Sequence, residues 1–142
     1  ALAEAGIPVG VSLAPQIPFL NDDMEQVLAA AREQGATSAF FQVLRLPWEV
    51  APLFRQWLEL HYPQRVARVM ARIQDLRGGR DYDSDFATRM KGSGPWAELL
   101  ARRFRVAVQR LGLNRERYPA DISQFRRPAV DGQRSLFDQE DI

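Results

Sequence analysis

Ile7-Pro8-Val9-Gly10-Val11-Ser12-Leu13 and Ser38-Ala39-Phe40-Phe41-Gln42-Val43-Leu44 decide the fold. Each is a short, largely apolar run, the pattern of a strand buried on both faces of a parallel sheet. Between them Asn21 stands where a helix cap is favoured, and Asp22, Asp23 and Glu25 crowd the first turn, where the helix dipole favours acids. Met24, Val27, Leu28 and Ala31 recur at helical spacing, and Gly35 ends the run. Strand, helix and strand predict a right-handed βαβ unit: parallel strands near 7–14 and 38–45, with a helix over 22–34. Ahead of it, Ala1–Ala5 are helix formers and Gly6 follows where a helix would end. The opening is therefore expected to be a helix-to-strand connection within a longer α/β chain.

Beyond the second strand the pattern turns helical. Pro47 marks a helix start, followed by Val50, Leu53, Phe54, Trp57, Leu58 and His61 at helical steps. Pro63 opens a second helix with Val66, Val69, Met70 and Ile73 on its apolar face, stopped by Gly78-Gly79. Residues 78–94 are glycine-rich and charged, which predicts a long surface loop. Pro95-Trp96 begins a third helix whose buried stripe is Leu99, Leu100, Phe104, Ala107, Val108 and Leu111, closed by Gly112. From Pro128 the composition becomes polar and acidic, predicting an unfolded tail. The expected organisation is a βαβ part over 1–47, a helical, arginine-rich extension over 48–127 and a tail over 128–142.

The 142 residues suffice for one modest core. No apolar run approaches the ~20 residues of a membrane span, and there is no secretory signal. The expected compartment is the cytoplasm. Cysteine is absent and His61 is the sole histidine. Disulfides, a thiol nucleophile, thiolate ligation of zinc or iron–sulfur clusters, and a multi-His metal site are therefore excluded within this chain. The net charge of +1 hides a pattern. Residues 1–61 carry three Arg against seven acids, and residues 128–142 carry one against four. Residues 62–127 carry fourteen Arg and Lys91 against seven acids. Arginine makes forked contacts to phosphate and carboxylate; the alternative is a set of solvated helix faces with local ion pairs.

Specific residues resemble a family. Pro8-Val9-Gly10-Val11, then Ala14-Pro15-Gln16-Ile17-Pro18 and Leu20-Asn21-Asp22, resembles the fifth strand and following loop of radical S-adenosylmethionine (SAM) barrels, with Phe19 where that loop has glycine. The run Leu44-Arg45-Leu46-Pro47-Trp48-Glu49-Val50, with Leu53-Phe54, Trp57-Leu58 and Tyr62-Pro63, is similar to the sixth strand and extension of the DNA repair photolyase subgroup, relatives of spore photoproduct lyase. So are Arg77-Gly78-Gly79-Arg80-Asp81 and Gly94-Pro95-Trp96-Ala97-Glu98-Leu99-Leu100 with Arg103-Phe104. The resemblance implies a βαβ remnant of an incomplete parallel (β/α) barrel followed by a mainly helical extension. It implies a parent enzyme whose Cys-x-x-x-Cys-x-x-Cys loop binds a [4Fe–4S] cluster. In such a parent the cluster would reduce SAM and release a 5′-deoxyadenosyl radical, and the resemblance implies nucleic acid as its substrate. The protein's share there is positioning and shielding. This chain alone is expected to be inert. Ligands of parallel sheets sit at the C-terminal strand ends, so Ala14, Pro15, Arg45 and Leu46 are candidates for the SAM pocket; the alternative is that they only turn the chain.

Arg77-Gly78-Gly79-Arg80 followed by Arg89-Met90-Lys91-Gly92 is the most suggestive local feature. Glycines admit close backbone approach and arginines fork onto phosphates, so Arg77, Arg80, Arg89 and Lys91 are candidate nucleic-acid contacts. The alternative is a loop whose arginines pair with Asp75, Asp81, Asp83 and Asp85. Trp48, Trp57 and Trp96 offer stacking faces, although helical spacing favours a core position for Trp57. His61, near a helix C-terminus, reads as structural, and Asp83 and Asp85, in a polar loop, do not read as catalytic. In the tail, Gln133-Arg134-Ser135-Leu136-Phe137 resembles the short peptide by which bacterial repair and replication proteins grip the sliding clamp. Gln133, Leu136 and Phe137 are its expected contacts; the alternative is an apolar tip folded onto the body. Rival readings are a non-catalytic helical module binding nucleic acid or protein, and a scaffold domain without a ligand. A Cys-x-x-x-Cys-x-x-Cys motif ahead of Ala1 would decide for the enzyme.

Overall fold

The computed structural model describes residues 1–115 together with 122, 123, 125 and 126. In chain order these form β1 (Gly10–Gln16), α1 (Met24–Glu33), β2 (Ser38–Val43), α2 (Val50–His61), a 3-10 turn (Pro63–Arg65), α3 (Val66–Asp75) and α4 (Gly94–Leu111). β1 and β2 pair in parallel, Gly10 opposite Ser38 and Leu13 opposite Phe41, so the expected βαβ unit is present. The described residues are thus mixed α/β, with a two-stranded parallel sheet and four α-helices.

Element ends differ from the sequence reading for local reasons. β1 starts at Gly10, because Ile7 and Pro8 are exposed with no strand beside them. It runs on through Pro15, and the register shifts between Leu13 and Gln16, where the missing proline N–H is tolerated. Asn21 does not cap α1. Its side chain is spent on the preceding loop, accepting from the Ile17 N–H at 2.6 Å and donating to the Pro15 carbonyl at 2.7 Å. Asp23 takes the cap position instead. α2 begins at Val50 rather than Pro47, since Trp48 adopts a left-handed φ of 42° that breaks helical continuation. Gly112, at φ 67°, closes α4 as expected.

Alternation along the strands gives the sheet two unlike faces. Leu13, Ala39 and Val43, with Val11 and Phe41 beside them, form a core with Met24 and Leu28 of α1 and Leu100 and Ala107 of α4. The opposite face carries Gly10, Ser12 and Ala14 of β1 and Phe40 of β2, all exposed. A second core joins Leu46, Ala51, Leu58, Val69, Met70 and Ile73, with Ile17, Phe19 and Leu44 packed against it. It lies at the C-terminal strand ends, roofed by α2 and α3. The expected division at residue 47 therefore does not separate the cores, because α4 returns to the sheet. Periodicity reveals an apolar stripe on α4 but not its target. Asn114, just past α4, fastens this return: its amide donates to the Ala39 carbonyl at 2.9 Å and accepts from the Ala39 N–H at 2.8 Å, in the manner of a neighbouring strand.

Arg103 of α4 clips onto the start of α1, donating to both Glu25 carboxylate oxygens (2.9 and 2.7 Å) and to Asp22. The Arg103 hydrogen bonds hold Glu25 below the usual carboxylate range. A depressed folded-state pKa stabilises the fold above the unfolded-state value, and that stabilisation disappears as pH falls through the folded-state value. Arg103→Met is therefore expected to cost about 1 kcal/mol near neutral pH, partial exposure limiting the clip. Urea unfolding of both proteins at successive pH values should show the gap closing below about pH 4. A gap constant down to pH 3 would disprove the electrostatic account.

Candidate functional site

A loop formed by residues 76–93 is drawn against the C-terminal end of β2. Gly78 and Gly79, at φ 61° and 85°, turn the chain out of α3. The loop returns where the Val43 N–H donates to the Met90 carbonyl at 3.0 Å and the Ser93 N–H to the Leu76 carbonyl at 3.1 Å. Gly92 makes the closing approach: a Cβ there would lie 2.9 Å from Leu76 Cδ2, at φ 73°. Arg77 bolts loop and strand together. Only 2% exposed, it donates through Nη2 to the Leu44 carbonyl (2.9 Å) and through Nη1 to the Thr88 carbonyl (3.1 Å). Burial holds its pKa below the ordinary arginine value.

Arg45, leaving the end of β2, reaches into the same loop. Its Nη2 donates to the Tyr82 hydroxyl at 3.1 Å and its Nη1 lies 3.8 Å from Met90 Sδ. The Tyr82 ring centroid is 5.8 Å from the guanidinium carbon. Arg89 lies 3.6 Å over the ring of Phe86.

The nearby acids are already engaged, but not by the loop's cations. Asp81 binds Arg55 at 2.8 Å and Gln74 at 2.9 Å, and the Arg55 hydrogen bond holds its carboxyl below the usual range. Asp83 accepts from the Thr88 hydroxyl and the Asp85 N–H, and the Thr88 bond likewise lowers its pKa. Asp75 pairs with Arg72. Among the described residues, Arg45, Arg80, Arg89 and Lys91 have no carboxylate within ion-pair distance. The loop arginines thus make no direct ion pair with these acids, Arg80 and Arg77 acting on Asp83 through space only. Guanidinium groups with unspent donors can take a phosphate or carboxylate from outside.

The expected site residues separate. Ala14 and Pro15 line a cleft of about 310 Å³ with Gln16, Asn21 and Asp23, beside the start of α1. Arg45 belongs to the Tyr82 network instead. Leu46, 1% exposed in the α2–α3 core, has no surface to offer a ligand, a correction to its expected place in a SAM pocket. Arg77 is corrected too: its guanidinium is turned inward onto two carbonyls, and Arg45 takes the half-exposed position beside it. Arg80 and Lys91 are exposed and Arg89 is half-buried. Lys91 also edges a hollow of about 500 Å³ floored by Phe41, Ala97 and Ala101.

Gln133, Leu136 and Phe137 lie outside the described residues. Trp57 is not core: it faces outward in a ring cluster with Phe54, His61 and Tyr62. Trp96 packs against the sheet core, and Trp48 is 83% exposed. The sequence reading missed Tyr82, Thr88 and Met90, which hold the arginines. Their only signal was proximity to the glycine turns.

No group of metal-binding side chains forms among the described residues, and no described helix is long and apolar enough to cross a membrane. No protein-family model matches the chain, nor does any curated protein or solved structure.

Proposed function

We propose that this chain is the C-terminal part of a radical SAM enzyme of the DNA repair photolyase-like subgroup, and that its loop 76–93 guides nucleic acid toward the strand ends. The observation that carries the nucleic-acid reading is the set of cations Arg45, Arg80, Arg89 and Lys91 in and beside this loop, none of them in a direct ion pair with a carboxylate among the described residues. The barrel reading is supported by the sheet's two faces: α1 and α4 cover one, and the other, carrying Gly10, Ser12, Ala14 and Phe40, is bare, as a wall taken out of a closed barrel would be. The cofactors fit this chain only in part. A [4Fe–4S] cluster needs thiolates and the chain has no cysteine, so its ligands belong to the rest of the parent. For SAM, the chain offers the Ala14–Pro15 cleft as one wall. The residues preceding Ala1 decide the barrel reading, through the presence or absence of Cys-x-x-x-Cys-x-x-Cys. A sliding clamp is the proposed protein partner, through Gln133–Phe137.

The nucleic-acid reading is tested by titrating the chain with labelled DNA at several salt concentrations. Binding should weaken steeply with salt and show little sequence preference. Changing Arg80, Arg89 and Lys91 together to Ala should lower the log–log slope by about 0.9 for each duplex phosphate that is no longer neutralised. Salt-independent binding, or none at low salt, removes this reading.

A further inference from the structure

Phe86 stands at the tip of the basic loop with 81% of its surface exposed. The backbone around it is hydrogen-bonded on both sides. Asp83 accepts from the Asp85 N–H at 3.0 Å and from the Thr88 hydroxyl. Asp85 accepts from the Ala87 N–H through its side chain (2.7 Å) and from the Arg89 N–H through its carbonyl (2.8 Å). These four bonds flank residue 86 on both sides and tie down the backbone that carries the ring. Arg89 backs one face of that ring, its guanidinium carbon 3.6 Å from the centroid. The ring is thus a preorganised, one-sided aromatic platform, with Arg80 and Lys91 exposed on the same loop.

We propose that Phe86, backed by Arg89, stacks on an unpaired base of single-stranded nucleic acid, the phosphates falling to Arg80 and Lys91. The inference rests on the nucleic-acid reading above and specifies its substrate class. An aromatic face stacks on any base, and a base has a free face only where it is not sandwiched in a duplex. The local charge agrees with stacking as the chief attraction here. Asp83 and Asp85 stand within three residues of Phe86, so the tip itself adds little phosphate attraction to that of Arg80 and Lys91. A guanidinium on the far side of the ring also leaves the open face for the base alone.

The test uses the whole chain, a labelled oligothymidylate, and a duplex of equal length. Phe86→Ala should weaken single-strand binding about ten-fold, with duplex binding and the salt slope unchanged. Phe86→Trp should retain the affinity, which shows that the loop survives substitution. An oligonucleotide carrying 2-aminopurine should be quenched by the native chain and not by Phe86→Ala. If the native chain binds single strands and Phe86→Ala binds them equally well, stacking is overturned while the nucleic-acid reading stands. Equal weakening for duplex and single strand also overturns it. Failure of the native chain to bind any DNA at low salt overturns both.

Discussion

Arg77→Met is expected to lower the melting temperature by about 8 °C, a loss of about 2–3 kcal/mol at roughly 3 °C per kcal/mol for a chain of this size. The magnitude follows from what the guanidinium does where it lies. It is buried, and its two donors satisfy the Leu44 and Thr88 carbonyls. Hydrogen bonds from a charged donor contribute about 1.5–3 kcal/mol each, and losing them leaves two partly buried carbonyls without their donor. Removing a desolvated cation recovers part of this, since its Nε has no partner and its pKa is already depressed by burial. The bonds outweigh that relief, because methionine fills the space and offers no donor. Arg80→Met, on an exposed side chain three residues away, should leave the melting temperature unchanged. Thermal unfolding followed by circular dichroism compares the two. Amide exchange at Val43, whose N–H is bonded to the Met90 carbonyl, should quicken in the Arg77 variant alone. Equal melting of the native and Arg77→Met proteins would show that the bolt contributes nothing.

The contrast between Arg77 and Arg80 also explains how far the sequence was legible. Both flank the same pair of glycines, and both present the same side chain to a reader of the sequence. What separates them is helical phase at the end of α3, where Leu76 and Arg77 follow the buried stripe Val69, Met70 and Ile73 inward. That stripe was readable, but a charged residue continuing it one turn further reads as surface until its two carbonyl partners are known. The βαβ unit was legible because two apolar runs and an amphipathic helix admit few arrangements. The docking of α4 was not, since a stripe of apolar residues names no target. Trp57 misled for a related reason. α2 is apolar on more than one side, with Ala51 and Leu58 buried while Leu53, Trp57 and Leu60 face outward, so periodicity could not choose between its faces. Phe86 carried a readable trace: Asp83 and Asp85, two residues apart, are the residues that fold a loop onto its own amide groups.

Double substitution of Leu136 and Phe137 by alanine is expected to abolish binding to a bacterial sliding clamp. These residues lie outside the described structure, so the argument rests on the sequence Gln133-Arg134-Ser135-Leu136-Phe137. It sits in an acidic, polar segment that supplies few apolar neighbours of its own, so a pocket on another protein is the natural place for adjacent Leu and Phe. Gln133 would fix the register through its amide while the two apolar side chains are buried. Full burial contributes roughly 1.5–3 kcal/mol for each. The loss of translational freedom and the ordering of the segment offset most of that, which places the affinity in the micromolar range at best. Such binding suits recruitment more than permanent assembly. Removal of either anchor forfeits more than the surplus, so the loss should be complete rather than graded. Titration of the peptide spanning residues 128–142 against a purified clamp measures this directly, with the doubly substituted peptide as control. Absence of saturable binding by the native peptide at high micromolar concentration would refute the proposal, as would undiminished binding by the control.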